Sequence, residues 1–489
     1  MQLSRRIAIN SGTLFIGKIA SSLFSLVVSV SLARYLGTAG YGNYSIVFAY
    51  LSFFQILSGL GIDAIIIREI SRTPEREDEV LGNAFLLKSA LSLLAFIASI
   101  AISFLMGYSR DIVFLIFIAS FSLLFGFNSL YTTSFQYRLH ASYYTVPEFL
   151  VTAVVALLTL LCIARQESLA VFVLLQTVTA VPLTVIYIYL TKRVLRIKPK
   201  IRYDAQLCRM LLSESWPIFL SSIFVSVNLR IDQIMLYRMV DSRALGLYSA
   251  GVRLAESLNL IPVVFMVSIY PLLCESFVSS REMFVKMYSR SFKYMSVLSI
   301  PIALGTTLLA DRIILLFYGA SYSGAAHPLA VLIWSEVFVF LGVVFSNVLT
   351  AAGLQSYLFP FTLVGAASNV ILNIFLIPRY GTIGAAIASL ISYGGIGLVL
   401  QWMLEEIRPV AIHYLRSLVM PSLCSIPMAG FLLIFRSANL FFIIPAAAVI
   451  YFATIVATDT LNNEDREYFK SIFIPSGKPN NIPPSPPGR

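Results

Sequence analysis

The chain has 489 residues, 58% of them hydrophobic and only 12% charged, with a mean hydropathy of +0.84. Soluble domains are about a quarter charged, so these values exclude a water-soluble fold and point to an integral membrane protein. The net charge of +11 would suggest nucleic acid in a soluble chain; here it is a question of which loops carry it, and no nucleic-acid partner is expected.

A helix needs roughly 20 apolar residues to cross about 30 Å of hydrocarbon. Apolar runs fall near 11–33, 43–66, 84–106, 112–134, 145–164 and 168–190, then, after a polar break, near 214–237, 247–273, 294–317, 328–351, 358–378, 383–404, 414–435 and 440–458. None alternates apolar and polar as a barrel strand would. The predicted fold is therefore all-α, a polytopic membrane protein of about 14 transmembrane helices. The first run exceeds the roughly 7 to 15 residues of a signal-peptide core and is expected to remain as a helix.

Between the first and second runs lies Arg34-Tyr-Leu-Gly-Thr-Ala-Gly-Tyr-Gly-Asn-Tyr-Ser45, a polar, glycine-rich turn. Adding 204 to each number carries Arg34 to Arg238, Gly42 to Gly246, Tyr44 to Tyr248 and Ser45 to Ser249, with the flanking runs in register. A second echo relates His140-Ala-Ser-Tyr-Tyr to Leu354-Gln-Ser-Tyr-Leu. Parallel repeats about an axis along the membrane normal are a recurrent transporter plan. They divide the chain into an N-terminal lobe at 1–190 (helices 1–6), a basic linker at 191–212, a C-terminal lobe at 213–404 (helices 7–12), two added helices at 405–460 and a tail at 461–489. The proline-rich tail cannot bury apolar area and is expected to be disordered.

The segment from Ser11 to Arg72, with this glycine-tyrosine turn at its centre, resembles the start of the polysaccharide biosynthesis exporters. These are the O-antigen and lipid-linked oligosaccharide flippases, in the superfamily that includes the lipid II flippases and the multidrug and toxin extruders. The resemblance implies a fold like that of the extruders, two lobes around a central cavity, and basic residues in that cavity. It also implies a lipid-linked oligosaccharide substrate, with glycan polymerase or glycosyltransferase machinery as further partners beside membrane lipid.

Ionisable groups inside spans are costly and usually face a cavity or a partner. Lys18 lies in the first helix, Arg230 and Asp232 in the seventh, Arg253 and Glu256 in the eighth, and Glu336 in the tenth, with Asp63 and Asp311 near helix ends. Lys18, Arg230 and Arg253 share one sign and suit an anionic phosphate head group; snorkelling to the interface is the simpler fate of Lys18. Arg253 and Glu256, three apart, share a helix face and form an ion pair or stand apart. Asn369 and Asn373 form an amide stripe that faces the cavity or joins helices. Asp63, Asp232, Glu256 and Glu336 are the candidates for ion pairing or coupling. Four scattered cysteines, Cys162, Cys208, Cys274 and Cys424, suggest neither zinc nor disulfides, and no metal or cofactor is predicted.

These features favour a flippase acting by alternating access; a monomer is compatible with it, and the sequence does not fix the oligomeric state. A cation-coupled drug antiporter of the same superfamily would place acids in the membrane, and the first helix has none. A polysaccharide polymerase or ligase would need positioned acids, bases or a metal. His140, His327 and His413 are scattered, so no enzyme is expected.

Cytoplasmic loops keep Lys and Arg. With the N-terminus inside, inner segments hold 24 of these residues and outer segments 8, with Lys18, Arg230 and Arg253 inside helices. Both termini and the 191–209 segment are therefore expected in the cytoplasm. An impermeant maleimide added from outside should miss a cysteine placed at Lys198 and reach one at Gly40; the opposite pattern overturns the orientation.

Overall fold

A computed structural model of the chain describes residues 2–138, 140–195, 202–403, 405 and 408–461. Among them there is no strand, and the helices follow one another as α1 (Gln2–Gly59), α2 (Ile62–Arg72), α3 (Glu77–Leu105), α4 (Arg110–Ser120), α5 (Asn128–Tyr137), α6 (Ser142–Ala164), α7 (Leu169–Val178), α8 (Ala180–Leu190), α9 (Ala205–Met239), α10 (Ser242–Glu256), α11 (Leu260–Ser279), α12 (Arg281–Tyr318), α13 (Ala326–Ala351), α14 (Leu358–Leu390), α15 (Gly397–Met403), α16 (Arg408–Ile434) and α17 (Leu440–Ala457). Short tight turns weld several of these into single crossings. Phe121–Phe125 joins the α4 region to α5, and Ser257–Asn259 joins α10 to α11.

Among the described residues, twelve continuous helical stretches are long and apolar enough to cross a membrane. Two of them, Gly17–Arg72 and Gln355–Met403, have 56 and 49 residues, about twice what one crossing needs. Each contains a glycine with non-helical torsions: Gly37 (φ 67, ψ 176) in α1 and Gly381 (φ 55, ψ −127) in α14. A side chain would be strained at either torsion, so these are the points where the chain turns back. Counting each as two crossings gives the fourteen helices expected.

The starts of other helices are fixed by polar caps whose side chains accept from the orphan amides of the first turn. Asp204 accepts from Gln206 and Leu207, Asp241 from Ala244, and Asn439 from Phe441. Because Asp204 caps α9, that helix begins nine residues before its apolar run at 214. Of the expected linker, 196–201 lies outside the described residues, as does all but residue 461 of the tail.

The lobes are related by the 204-residue offset at the level of helix starts: α3 opens at Glu77 and α12 at Arg281, and Thr38 corresponds to Ser242, the first residue of α10. They also meet each other through the repeated turn. A Cβ on Gly42 would collide with the carbonyl of Ser242, and a Cβ on Gly246 with the carbonyl of Thr38. The two helices therefore cross backbone to backbone, at a Thr-x-x-x-Gly and a Ser-x-x-x-Gly of the small-residue kind that lets membrane helices touch.

Lys88, one of the 24 Lys and Arg residues assigned by sequence to the inner segments, is instead sealed within the lobe on α3, with 0% of its side chain exposed. Its Nζ donates to Asp63 Oδ1 at 2.6 Å and to Ser129 Oγ at 2.5 Å. Asp63 Oδ1 also accepts from Ser129 at 3.2 Å and Thr133 at 3.3 Å. Of the roles open to Asp63, the structure shows ion pairing. Lys88→Met should destabilise by about 3 to 5 kcal/mol, because it strands a carboxylate, and adding Asp63→Asn should recover part of that. Thermal unfolding of the purified variants checks this; equal stability of Lys88→Met and wild type would refute it.

Candidate functional site

Between the lobes lies a polar cavity in two connected parts. The deeper part, about 360 Å³, is lined by Ser25, Ser29, Tyr41, Tyr44, Ser45, Ser52 and Gln55 of α1, by Gln176 of α7, and by Arg230, Gln233, Ser249, Arg253 and Glu256 of α9 and α10, with apolar neighbours between. The second part, about 540 Å³, adds Lys18, Ser21 and Ser22 of α1, Thr152 of α6, and Ser257, Asn259, Leu260 and Val263 where α10 passes into α11. Ser25, Gln176, Arg253 and Glu256 line both. The cavity is thus built from both lobes, with α1 along its whole length.

The three cations differ in what surrounds them. Arg230 forks onto Glu256, with Nη1 to Oε1 at 2.9 Å and Nη2 to Oε2 at 3.4 Å, so its charge is neutralised by a bidentate partner. The expected alternative, a pair between Arg253 and Glu256, is corrected: residues three apart share a face, but Glu256 is met by the Arg230 guanidinium from the neighbouring helix α9, while Arg253 turns to Ser25. Arg253 donates to the hydroxyl of Ser25 across the cavity. Lys18 is exposed to the second part. Among the described residues neither Arg253 nor Lys18 has a carboxylate within ion-pair distance.

The amide stripe does not face the cavity. Asn369 and Asn373 are fully buried, and Asn373 Nδ2 donates to Asn369 Oδ1 at 2.9 Å, so the assignment of these two to the head group is corrected to packing within the C-terminal lobe. Asp232 also stands behind the wall. It accepts from the Tyr248 hydroxyl, from the Gln233 amide at 2.7 Å and from the Ser389 hydroxyl at 3.4 Å. Glu336 on α13 is 8% exposed, neighbours Asn259, and keeps Oε2 without a partner. Asp311 pairs at the surface with Arg436 at 3.0 Å. No group of three or more His, Cys, Asp or Glu side chains among the described residues is arranged to hold a metal.

What the sequence reading missed is the neutral wall. Ser22, Ser25 and Ser29 recur at helical spacing on one face of α1, as Tyr41, Ser45, Ser52 and Gln55 do beyond the turn. That periodic hydroxyl stripe was the available signal. Ser29 and Tyr41 hydrogen bond to each other at 2.7 Å across the Gly37 turn, which fixes the two halves of the stripe together.

Comparison with known proteins bears on this arrangement. The family described as polysaccharide biosynthesis protein matches residues 7–277, and the MatE family matches residues 217–375. A probable flippase of Haloferax volcanii, AglR, is 29% identical over 166 residues, which span 33% of this chain and 35% of AglR. An uncharacterized membrane protein of Bacillus subtilis, YabM, is 26% identical over 84% of this chain and 83% of its own length. Among solved structures, the lipid II flippase MurJ in an inward closed conformation superposes with a TM-score of 0.72 at 18% identity, covering 94% of this chain and 98% of MurJ. An inward-facing multidrug resistance MATE transporter superposes at 0.63 and 16% identity, covering 79% and 95%. These structures share the fold of the present one. With the match over 7–277 taking in more than half of its 489 residues, the chain is a multi-pass membrane protein that belongs to the polysaccharide biosynthesis protein family.

Proposed function

We propose that this protein is a flippase that carries a polyprenyl-(pyro)phosphate-linked oligosaccharide from the inner to the outer leaflet by alternating access, for surface polysaccharide or glycan biosynthesis. The observation that carries this reading is the pair Arg253 and Lys18, cations on opposite lobes that face one cavity without a carboxylate partner. A free guanidinium and a free ammonium at low dielectric suit phosphate oxygens.

The deeper cavity fits the rest of the head group. Apart from Arg253 at the junction of the two parts, its charged lining is the Arg230 and Glu256 pair, and its hydroxyls, amides and tyrosine rings suit a neutral sugar by hydrogen bonding and stacking. For the lipid, an apolar groove of about 310 Å³ runs between α12, α16 and α17 beside Pro301, Gly305, Leu309, Met428, Leu432 and Phe452. In this reading the polyprenyl chain follows that groove while the head group crosses between the lobes. The substrate drives the change only to the extent that it binds the two states unequally.

A cation-coupled drug antiporter is the second reading, and the match to the MatE family over 217–375 favours it. Of the acids it would use, Asp232 and Glu336 lie behind the cavity wall, and Glu256, which lines it, is paired with Arg230, so Arg253 and Lys18 are left facing the ligand. An anionic lipid head group fits that polarity better than a cationic drug.

Arg253→Ala should abolish surface glycan in a strain lacking the wild-type protein while its level in the membrane stays normal, because losing a charge-assisted contact removes roughly 1.5 to 3 kcal/mol of binding. Arg253→Lys should be intermediate, keeping charge but losing the fork. Normal glycan with Arg253→Ala would overturn the role. Arg230→Ala should behave differently: it leaves Glu256 unpaired, so the protein level should fall and Arg230→Ala/Glu256→Ala should restore it. Immunoblots of membrane fractions separate the two patterns.

A further inference from the structure

Glu148 lies within the fifth apolar run, on α6, and none of the pairs described above accounts for it. A carboxylate inside a span is costly and usually faces a cavity or a partner. We propose that Glu148 is the internal counter-ion of Lys18, a tethered anion that competes with the phosphate of the substrate for that ammonium and so keeps head-group binding reversible. The inference rests on the head-group reading of Lys18 and deepens it.

Three observations carry it. The first is position. A Cβ on Gly17 would strike the Thr145 side chain, so α1 and α6 touch at the residue before Lys18. Thr145, Glu148 and Thr152 are three and four residues apart and share one face of α6, and Thr152 lines the second cavity part together with Lys18. Glu148 therefore stands on the α6 stripe between the contact with α1 and the cavity. Both Glu148 and Lys18 are exposed.

The second is restraint. The hydroxyl of Tyr187 on α8, a buried residue, donates to Glu148 Oε1 at 3.0 Å. Oε2 has no donor among the described residues. A phenol is neutral, so it anchors one oxygen without cancelling the charge. The carboxylate is held back from Lys18 and remains an anion.

The third is charge balance. The field of Lys18 reaches Glu148, yet among the described residues no cation lies within ion-pair distance of this acid. The two attract across a gap in a medium of low dielectric, where such attraction is strong, and do not close into a bonded bridge as Arg230 and Glu256 do. A phosphate arriving at Lys18 must compete with that attraction, and the carboxylate draws the ammonium back as the phosphate leaves. A closed bridge would block the site, and a lone ammonium would bind the anion more tightly and release it more slowly.

The test is a binding cycle on the full-length protein in detergent, titrated with farnesyl pyrophosphate by isothermal calorimetry. Glu148→Gln, which keeps the shape and can still accept from Tyr187, should tighten binding by roughly three- to tenfold. Lys18→Gln should weaken it, and in Lys18→Gln/Glu148→Gln the gain from the second change should vanish, because the acid acts through that one cation. Tyr187→Phe frees the carboxylate to close on Lys18 and should weaken binding. Equal affinity in folded Glu148→Gln and wild type overturns the inference, as does an undiminished gain when Lys18 is absent. A matching gain in Asp311→Asn, at the outer surface, would reduce the effect to net charge and also overturn it. If Glu148→Gln does not fold, Tyr187→Phe decides, and wild-type affinity in that variant overturns the counter-ion. Wild-type affinity in Lys18→Gln defeats the head-group reading as well, whereas a weakened Lys18→Gln beside an unchanged Glu148→Gln defeats the counter-ion alone.

Discussion

Hydrocarbon offers no hydrogen bonds, so a charged group in this protein costs least where the chain itself satisfies it or where it faces the central cavity. That constraint sorts the intramembrane charges. Lys88 and Asp63 satisfy each other within the N-terminal lobe, with Ser129 and Thr133 completing the oxygen set. Arg230 and Glu256 do so on the cavity wall. Asp232 is met by hydroxyl and amide donors. Arg253 and Lys18 are left facing the cavity, and a cavity between two lobes is where a membrane protein can keep such groups at work.

The same backbone plan is used for different chemistry in the two lobes. Tyr44 and Tyr248 are equivalent by the repeat, yet Tyr44 faces the cavity and packs on Phe48 at 4.8 Å, while Tyr248 turns into its own lobe to donate to Asp232. Lys88 corresponds to Phe292, fully buried in an apolar cluster, and Asp63 to Val267, which is exposed. Symmetry is preserved where the lobes touch each other, at Arg34 and Arg238 and at Gly42 and Gly246. It is lost where each lobe packs internally. A contact that must be self-complementary constrains both copies of the turn, whereas interior packing constrains each copy separately.

The number and apolar character of the crossings were legible because a 20-residue apolar run leaves little choice of structure, and the turn at Gly37 was marked by its glycines. The partner of Glu256 was not legible. Spacing along one helix says which residues share a face, but Arg230 lies on another helix, and only the packing of α9 against α10 brings its guanidinium within 2.9 Å. Lys88 was misplaced for a related reason: α3 begins at Glu77, two turns before its apolar run, and covers the lysine with helices that the sequence does not announce as neighbours. Asn369 and Asn373 were correctly spaced for one face, but the face is turned inward and one amide donates to the other. Cavity hydroxyls were the quietest signal, since a serine in a membrane helix can equally return its proton to the carbonyl one turn back, as Ser99 and Ser134 do.

Arg253 shows how a protein keeps a charge available. A carboxylate partner would fix the guanidinium but also neutralise it, and a phosphate would then have to displace a bonded acid. With Ser25 as its partner, Arg253 is oriented by a neutral oxygen from the opposite lobe, at the junction of the two cavity parts. The hydroxyl fixes direction without cancelling charge, and the remaining donors of the guanidinium fork stay free. Because Ser25 and Arg253 belong to different lobes, the same hydrogen bond spans the gap that would change in the alternating access proposed above. An anion bound by Arg253 would compete with that bond, so head-group binding and lobe separation would act on one side chain.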